Sequence, residues 1–232
     1  MTNLASNLTE TTRAHGDRIA VRVDDAVMTY RELDEASARV AGLLHERGLK
    51  PGDRVGIMMP NVAEVPVVYY GVLRAGGIVV PMNPLLKARE VAYYLGDSGA
   101  GLIFAWHAFA GEARGGAEQA NAEPVVVDTV SFPGLLASAA PDYEVADTDD
   151  EDTAVILYTS GTTGHPGARL VQRPVAHRRV VHPYGHPSAV GPGGVGQVLG
   201  QVRHVAHCPA RSPGDPRSRV PRKQPILVRP AH

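Results

Sequence analysis

The chain has 232 residues, room for one large domain or two small ones, with an ordinary 44% of hydrophobic residues and 5% aromatic. Its single cysteine, Cys208, excludes an internal disulfide framework and suits a reducing compartment. The net charge of −1 averages two unlike parts: residues 1–168 carry 12 Lys+Arg against 23 Asp+Glu, whereas residues 169–232 carry 11 against 1.

The start, "MTNLASNLTE", has no basic cluster ahead of an apolar run, so no secretory signal is read there. No apolar run approaches the ~20 residues of a membrane-spanning helix. A cytoplasmic protein with no transmembrane segment is the expectation.

In "MTYRELDEASARVAGLLHERG", Thr29 followed by Glu32 forms a capping box. Leu33, Ala36, Val40, Leu43 and Leu44 recur at helical spacing, and Gly48 can close the helix. "KPGDRVGIMMP" reads as a turn and a short apolar strand. "NVAEVPVVYYGVLRAGG" reads as a helix starting at Asn61, with Val62, Val65, Tyr69, Val72 and Leu73 on one face. Its Pro66 lies one turn in, where proline costs least.

"IVVPMNP" reads as a buried strand, and "NPLLKAREVAYYLGDSG" as a helix with Asn83 capping and Pro84 in first position. "GLIFAW" and "EPVVVD" are apolar runs bounded by turn formers, hence strands. "YEVADTDDEDT" is a solvated acidic connection leading into the strand "AVILYT". The alternation predicts an α/β fold with helices packed on a parallel or mixed sheet.

From Arg169 to His232 the pattern stops: this stretch holds 10 Arg, 10 Pro and 6 His, and its one aromatic residue is Tyr184. Prolines every few residues bar long helices and central strands. Too little apolar surface remains to offset the entropy of ordering it, so an irregular tail is expected.

After "AVILYT" comes Thr159-Ser160-Gly161-Thr162-Thr163-Gly164, with hydroxyl donors and two glycines that let phosphate oxygens approach the main chain. It is not a Walker loop, because G-x-x-x-x-G-K-[ST] is absent. "YTSGTTGHP" resembles the nucleotide-phosphate loop of the adenylate-forming (AMP-binding) superfamily, written YTSGTTG-x-PKG. The chain from "MTYRELDEASARV" to "YYLGDSGA" is similar to the N-terminal region of that family, and the resemblance covers about residues 5–168. "PMNP" and "GDSGA" look most like fatty-acyl or medium-chain acyl-CoA ligases.

The resemblance implies an incomplete N-terminal domain of an adenylate-forming enzyme and two half-reactions. A fatty-acid carboxylate attacks the α-phosphorus of Mg-ATP, giving acyl-adenylate and pyrophosphate; the CoA thiol then attacks the acyl carbon and AMP leaves. ATP, Mg2+ and CoA are thus the implied cofactors and co-substrates. Thr159, Ser160, Thr162 and Thr163 would contact phosphate, while Gly161 and Gly164 would shape the turn. Tyr158 would pack rather than react.

The match breaks after the loop. Pro166 is followed directly by Gly167, so the lysine of the family's PKG is missing. The acyl pocket, the Thr and Glu serving Mg-ATP, the ribose-binding Asp and the lid's catalytic Lys are not located, and Lys223 matches none of them. No catalytic residue is therefore assigned. The excess of Arg, Pro, Gly and Val is what a shifted frame of a GC-rich gene yields. Residues 1–168 are read as part of the AMP-binding domain. The stretch 169–232 is read as frame-shifted text, and the chain as a truncated, inactive fragment of low solubility.

Two rival readings stand beside this: a complete short ligase, and a non-catalytic binding module whose basic tail contacts nucleic acid. The tail lacks interleaved aromatics and any known motif, so no nucleic acid is expected. His165 is read as a bystander. His177, His182, His186, His204 and His207 include an i,i+4 pair, but Pro183 and Pro187 interrupt that segment, and no metal site is assigned. Cys208 lacks an acid–base partner in a recognisable motif. "GPGGVGQVLG" lacks the preceding strand and following acidic residue of a dinucleotide fingerprint.

Overall fold

A computed structural model describes residues 3–149, 151–159, 167–172 and 180–181 of the chain. Helix α1 (Ala5–His15) is tied down at its start by Asn3. The Asn3 Oδ1 accepts from the Ala5 N–H at 3.0 Å, and its Nδ2 donates to the carbonyls of Leu73 and Ala146 at 2.8 and 2.9 Å. An antiparallel hairpin of β1 (Ile19–Val23) and β2 (Ala26–Thr29) leads into α2 (Tyr30–Glu46).

The α2 capping box is present as read. The Glu32 N–H donates to Thr29 Oγ1 at 3.3 Å, and the Thr29 N–H to Glu32 Oε2 at 2.7 Å. Gly48, with φ of 80°, turns the chain out of the helix.

Alternating strands and helices follow: β3 (Arg54–Met58), α3 (Glu64–Arg74), β4 (Ile78–Pro81), α4 (Ala88–Ser98) and β5 (Ala100–Trp106). After a short 3-10 turn come α5 (Ala110–Ala120), β6 (Glu123–Val127), α6 (Ser131–Ser138) and β7 (Thr153–Thr159). The strands β8 (Gly167–Gln172) and β9 (Val180–Val181) complete the described chain.

The main sheet has the order β6-β5-β3-β4-β7-β8-β9. Strands β6, β5, β3, β4 and β7 are parallel, and β8 and β9 are added antiparallel, so the sheet is mixed. Helices cover both faces, which is why the parallel strands read as continuous apolar runs. Along β5, Leu102 and Phe104 join the core under α1, α2, α3 and α6, whereas Ile103 and Ala105 join the core under α4 and α5.

Two helix starts lie later than the sequence suggests. Helix α3 begins at Glu64 rather than Asn61, which places Pro66 third in the helix, among the N–H groups that have no intrahelical partner. Helix α4 begins at Ala88. Asn83 instead accepts from the Leu85 N–H at 2.9 Å, a local turn, and the helix start is held by carboxylates: Glu90 accepts from Lys87 N at 2.9 Å and Glu112 from Ala88 N at 2.8 Å. Four residues of the stretch expected to be irregular, Arg169–Gln172, lie in β8. "GARLVQ" has no proline, so each residue there can donate to the ladder with β7.

The described residues of the connection between α6 and β7 form no helix or strand but are fastened to α2 and α3. The Asp142 N–H donates to Ala38 O and the Ala146 N–H to Arg74 O, both at 2.9 Å. Arg74, 1% exposed, donates to Tyr143 O at 2.9 Å, to Ser37 Oγ at 3.3 Å and to the Asp34 carboxylate. The acidic stretch is thus held by its backbone, with Glu144, Asp147 and Asp149 exposed and Val145 packed against the core.

Candidate nucleotide-phosphate site

Strand β7 ends at the carboxyl edge of the parallel sheet, and in sequence the candidate loop follows it. The preceding connections leave β3 through α3 on one face and β4 through α4 on the other. That divergence makes the carboxyl edge beside β3 and β4 the place where open α/β sheets take ligands. Because β7 lies next to β4, its end opens beside this point. Thr159 is the last residue of β7, and its cross-strand partner is Gly167, the first residue of β8. The seven residues between them in sequence, Ser160–Pro166, lie outside the described residues.

Of the predicted phosphate-contacting set, Thr159 has a described backbone position. Ser160, Gly161, Thr162, Thr163 and Gly164 lie outside the described residues, as do His165, Cys208, Lys223 and the tail histidines. Tyr158 packs, as read. Its ring stacks on Tyr94 of α4 with centroids 4.2 Å apart and planes at 16°, and Tyr93 meets it edge-on at 6.4 Å. Its hydroxyl donates to Asp97 Oδ2 at 2.6 Å. Desolvation, followed by the Asp97 hydrogen bond and charge, pushes the Tyr158 phenol well above its ordinary value, so it stays a neutral donor.

The sequence reading did not find Asp97 or Tyr94 as partners of the loop strand. Asp97 is separated from Tyr158 by 61 positions, and no local pattern spans that distance. One signal was available: Tyr93, Tyr94 and Asp97 stand three and four apart, on neighbouring positions of one helix face.

A cavity of about 590 Å³ lies elsewhere, lined by Arg13, Arg18, Arg31, Asp34, Arg74 and Tyr143 among others. Arg13 and His15 close α1 and Arg74 closes α3 just ahead of β4, so this cavity is at the amino edge of the sheet. Cations there complement the carbonyl ends of two helices. Among the described residues, no group of three or more His, Cys, Asp or Glu could hold a metal ion, and no helix is long and apolar enough to cross a membrane.

Comparison with known proteins places this geometry. The family described as AMP-binding enzyme matches residues 8–180, twelve residues past Ala168 and through β8. The long-chain-fatty-acid–CoA ligase FadD13 of Mycobacterium tuberculosis is 36% identical over 145 residues, covering 61% of this chain and 29% of that protein. Surfactin synthase subunit 1 of Bacillus subtilis is 33% identical over 166 residues, covering 72% of this chain and 4% of that protein.

Among solved structures, a benzoate CoA ligase from Burkholderia xenovorans superposes with a TM-score of 0.67 at 28% identity, over 74% of this chain and 35% of that one. The N-terminal domain of FACL13 from Mycobacterium tuberculosis does so with a TM-score of 0.67 at 29% identity, over 74% of this chain and 44% of that one. The chain spans about a third of the length of the fatty-acid–CoA ligases it matches. With a family match over most of its length, and an α/β sheet that superposes on CoA ligases, the chain belongs to the AMP-binding enzyme family.

Proposed function

We propose that these residues form the N-terminal part of a cytoplasmic, ATP-dependent acyl-CoA ligase for long- or medium-chain fatty acids, and that Thr159–Gly164 is its triphosphate loop. The observation that carries the reading is the Thr159–Gly167 pair: it lies at the carboxyl end of β7, beside the divergence of α3 and α4, and flanks the Ser/Thr/Gly segment in sequence. Backbone N–H groups and hydroxyls gathered there would hold the β- and γ-phosphates so that pyrophosphate departs in line from the α-phosphorus. Mg2+ would arrive on the nucleotide, ligated by phosphate oxygens. Fatty acid and CoA are the implied co-substrates.

In the same reading, the 232-residue chain holds the triphosphate weakly and forms no acyl-adenylate. It spans about a third of the ligases it matches, and Gly167 follows Pro166 where the family places a lysine. An amide NMR titration with Mg-ATP tests the loop. Shifts centred on Thr159–Gly164 are expected with Mg-ATP and absent with AMP, which lacks the two outer phosphates. Equal shifts with AMP, or none near the loop, would sink the assignment. Hydroxamate formation from a fatty acid, ATP and hydroxylamine tests the second half. No product is expected, and turnover would show that the chain is catalytically complete.

A further inference from the structure

Strand β7 is unevenly held. Its pairing with β4 is the single register pair Val79–Val155, whereas its pairing with β8 runs on to Thr159–Gly167. From Ile156 onward, the strand that opens the candidate loop therefore has a ladder on one side alone among the described residues. Above the sheet, on the face that Tyr158 joins, stands α4, and Tyr158 reaches it twice: its ring lies on Tyr94 and its hydroxyl bonds Asp97 at 2.6 Å. A short O–H···O bond to a carboxylate is among the stronger neutral-to-charged contacts. The side chain thus ties the strand end to the helix layer, where the ladder toward β4 has stopped.

We infer that Asp97 and Tyr94 are positioning residues, which hold Tyr158 against α4 and so fix the end of β7 from which the phosphate loop departs. The inference rests on the reading of that loop as a triphosphate site. Its physical content is parity and angle. A strand places successive side chains on opposite faces, so fixing Tyr158 toward α4 fixes the backbone orientation at Thr159, and a one-residue slip would invert it. Phosphate-holding donors must be placed before the ligand arrives, or part of the binding energy goes into ordering them. Asp97 touches neither phosphate nor substrate in this scheme; it acts through Tyr158.

The test uses the full 232-residue chain and the variants Tyr158→Phe, which keeps the stack and loses the hydroxyl, Asp97→Asn, and the double variant. Amide hydrogen exchange reads the strand end directly. Exchange at Leu157–Thr159 and Gly167–Arg169 is expected to quicken by about tenfold in Tyr158→Phe, with β3 and β5 unchanged. Mg-ATP affinity, read by amide titration, is expected to weaken by about fivefold, the equivalent of one hydrogen bond. The double variant should lose no more than Tyr158→Phe, because the two residues share one contact. Asp97→Asn, which can still accept the hydroxyl, should recover part of both effects.

A uniform rise in exchange across the sheet would make Tyr158 an ordinary packing residue and overturn the inference. So would unchanged exchange at the strand end, or wild-type affinity for Mg-ATP in Tyr158→Phe. If the unmodified chain shows no Mg-ATP shifts while exchange changes as expected, the triphosphate assignment falls and the tie between α4 and β7 stands.

Discussion

The two faces of the sheet are held in different ways. Under α1, α2, α3 and α6, polar side chains are buried and bonded across long sequence separations: Asn3 to Leu73 and Ala146, and Arg74 to Asp34, Ser37 and Tyr143. Under α4 and α5 the core is smaller, and the polar ties lie nearer water: Tyr158 to Asp97, and Glu112 to Lys87 and the Ala88 N–H. Losing a buried tie strands a desolvated partner, whereas losing a half-exposed one lets water replace it. The first face is therefore built for stability. The second can carry residues that serve a site at little cost to the fold.

Replacing Arg74 should break this contrast most severely. Arg74→Leu leaves the Asp34 carboxylate without its guanidinium and frees the connection at Tyr143, and it should cost about 3–5 kcal/mol, as for a buried ion pair losing one partner. Removing the stranded charge as well, in Arg74→Leu/Asp34→Leu, should recover most of that loss. Urea unfolding of the three proteins measures both. A loss in Arg74→Leu no larger than in Tyr158→Phe would erase the distinction between the faces.

Each face also has a glycine where helices touch, and these make a matched pair. A Cβ on Gly71 would stand 2.4 Å from Val40 Cβ, and one on Gly116 would stand 2.5 Å from Val91 Cβ. Overpacking at either site should cost about 1–3 kcal/mol. Either Cβ would also press on a backbone oxygen, Ser37 O at 3.0 Å for Gly71 and Ala88 O at 2.8 Å for Gly116; Gly71→Ala should cost the more because Ser37 belongs to the buried Arg74 network. Equal midpoints for the two variants would show that the network adds no rigidity.

What could be read in the sequence divides along the same line. The α2 capping box was legible because Thr29 and Glu32 are three apart, and the strands were legible because both faces of the sheet are covered. The start of α4 was misplaced because Asn83-Pro84 imitates a helix start. The cap that operates comes partly from Glu112, which is 24 residues from Ala88. Helix α1 gives a weak apolar pattern and is anchored through Asn3 to a carbonyl 70 residues away. The candidate loop could be proposed from the sequence because its residues are contiguous. Its support could not, since Asp97 and Tyr158 meet only after the chain has crossed the sheet.

In one respect the faces agree, and acid should expose it. Three carboxylates serve helix starts: Glu32 at α2, Glu112 at α4 and Asp128 at α6. Backbone N–H donors, with the side-chain bond of Ser131 foremost at Asp128, hold all three below their ordinary values of 4.5, 4.5 and 3.8. A depressed carboxylate contributes stability that is present above the unfolded value and lost as pH falls through the folded one. Stability should therefore be level from neutral pH to the ordinary carboxylate range and decline below it. Glu32→Gln and Glu112→Gln should each flatten that decline by a similar amount. A decline that both variants leave intact would assign it to other groups.

The smallest expected effect sharpens the account of the second face. Gly96 lies inside α4, one residue before Asp97, and a Cβ added there meets nothing within 4 Å. Alanine should stabilise the chain by about 0.5–1 kcal/mol, since a helical glycine loses more backbone freedom on folding than alanine does. If α4 is the fixed support for Tyr158, Gly96→Ala should also slow amide exchange at Leu157–Thr159 relative to β5, although it touches no residue of β7. A gain in thermal midpoint with no such slowing would mean that α4 and the loop strand are stabilised independently, and that the tie between them is too loose to transmit order into the loop.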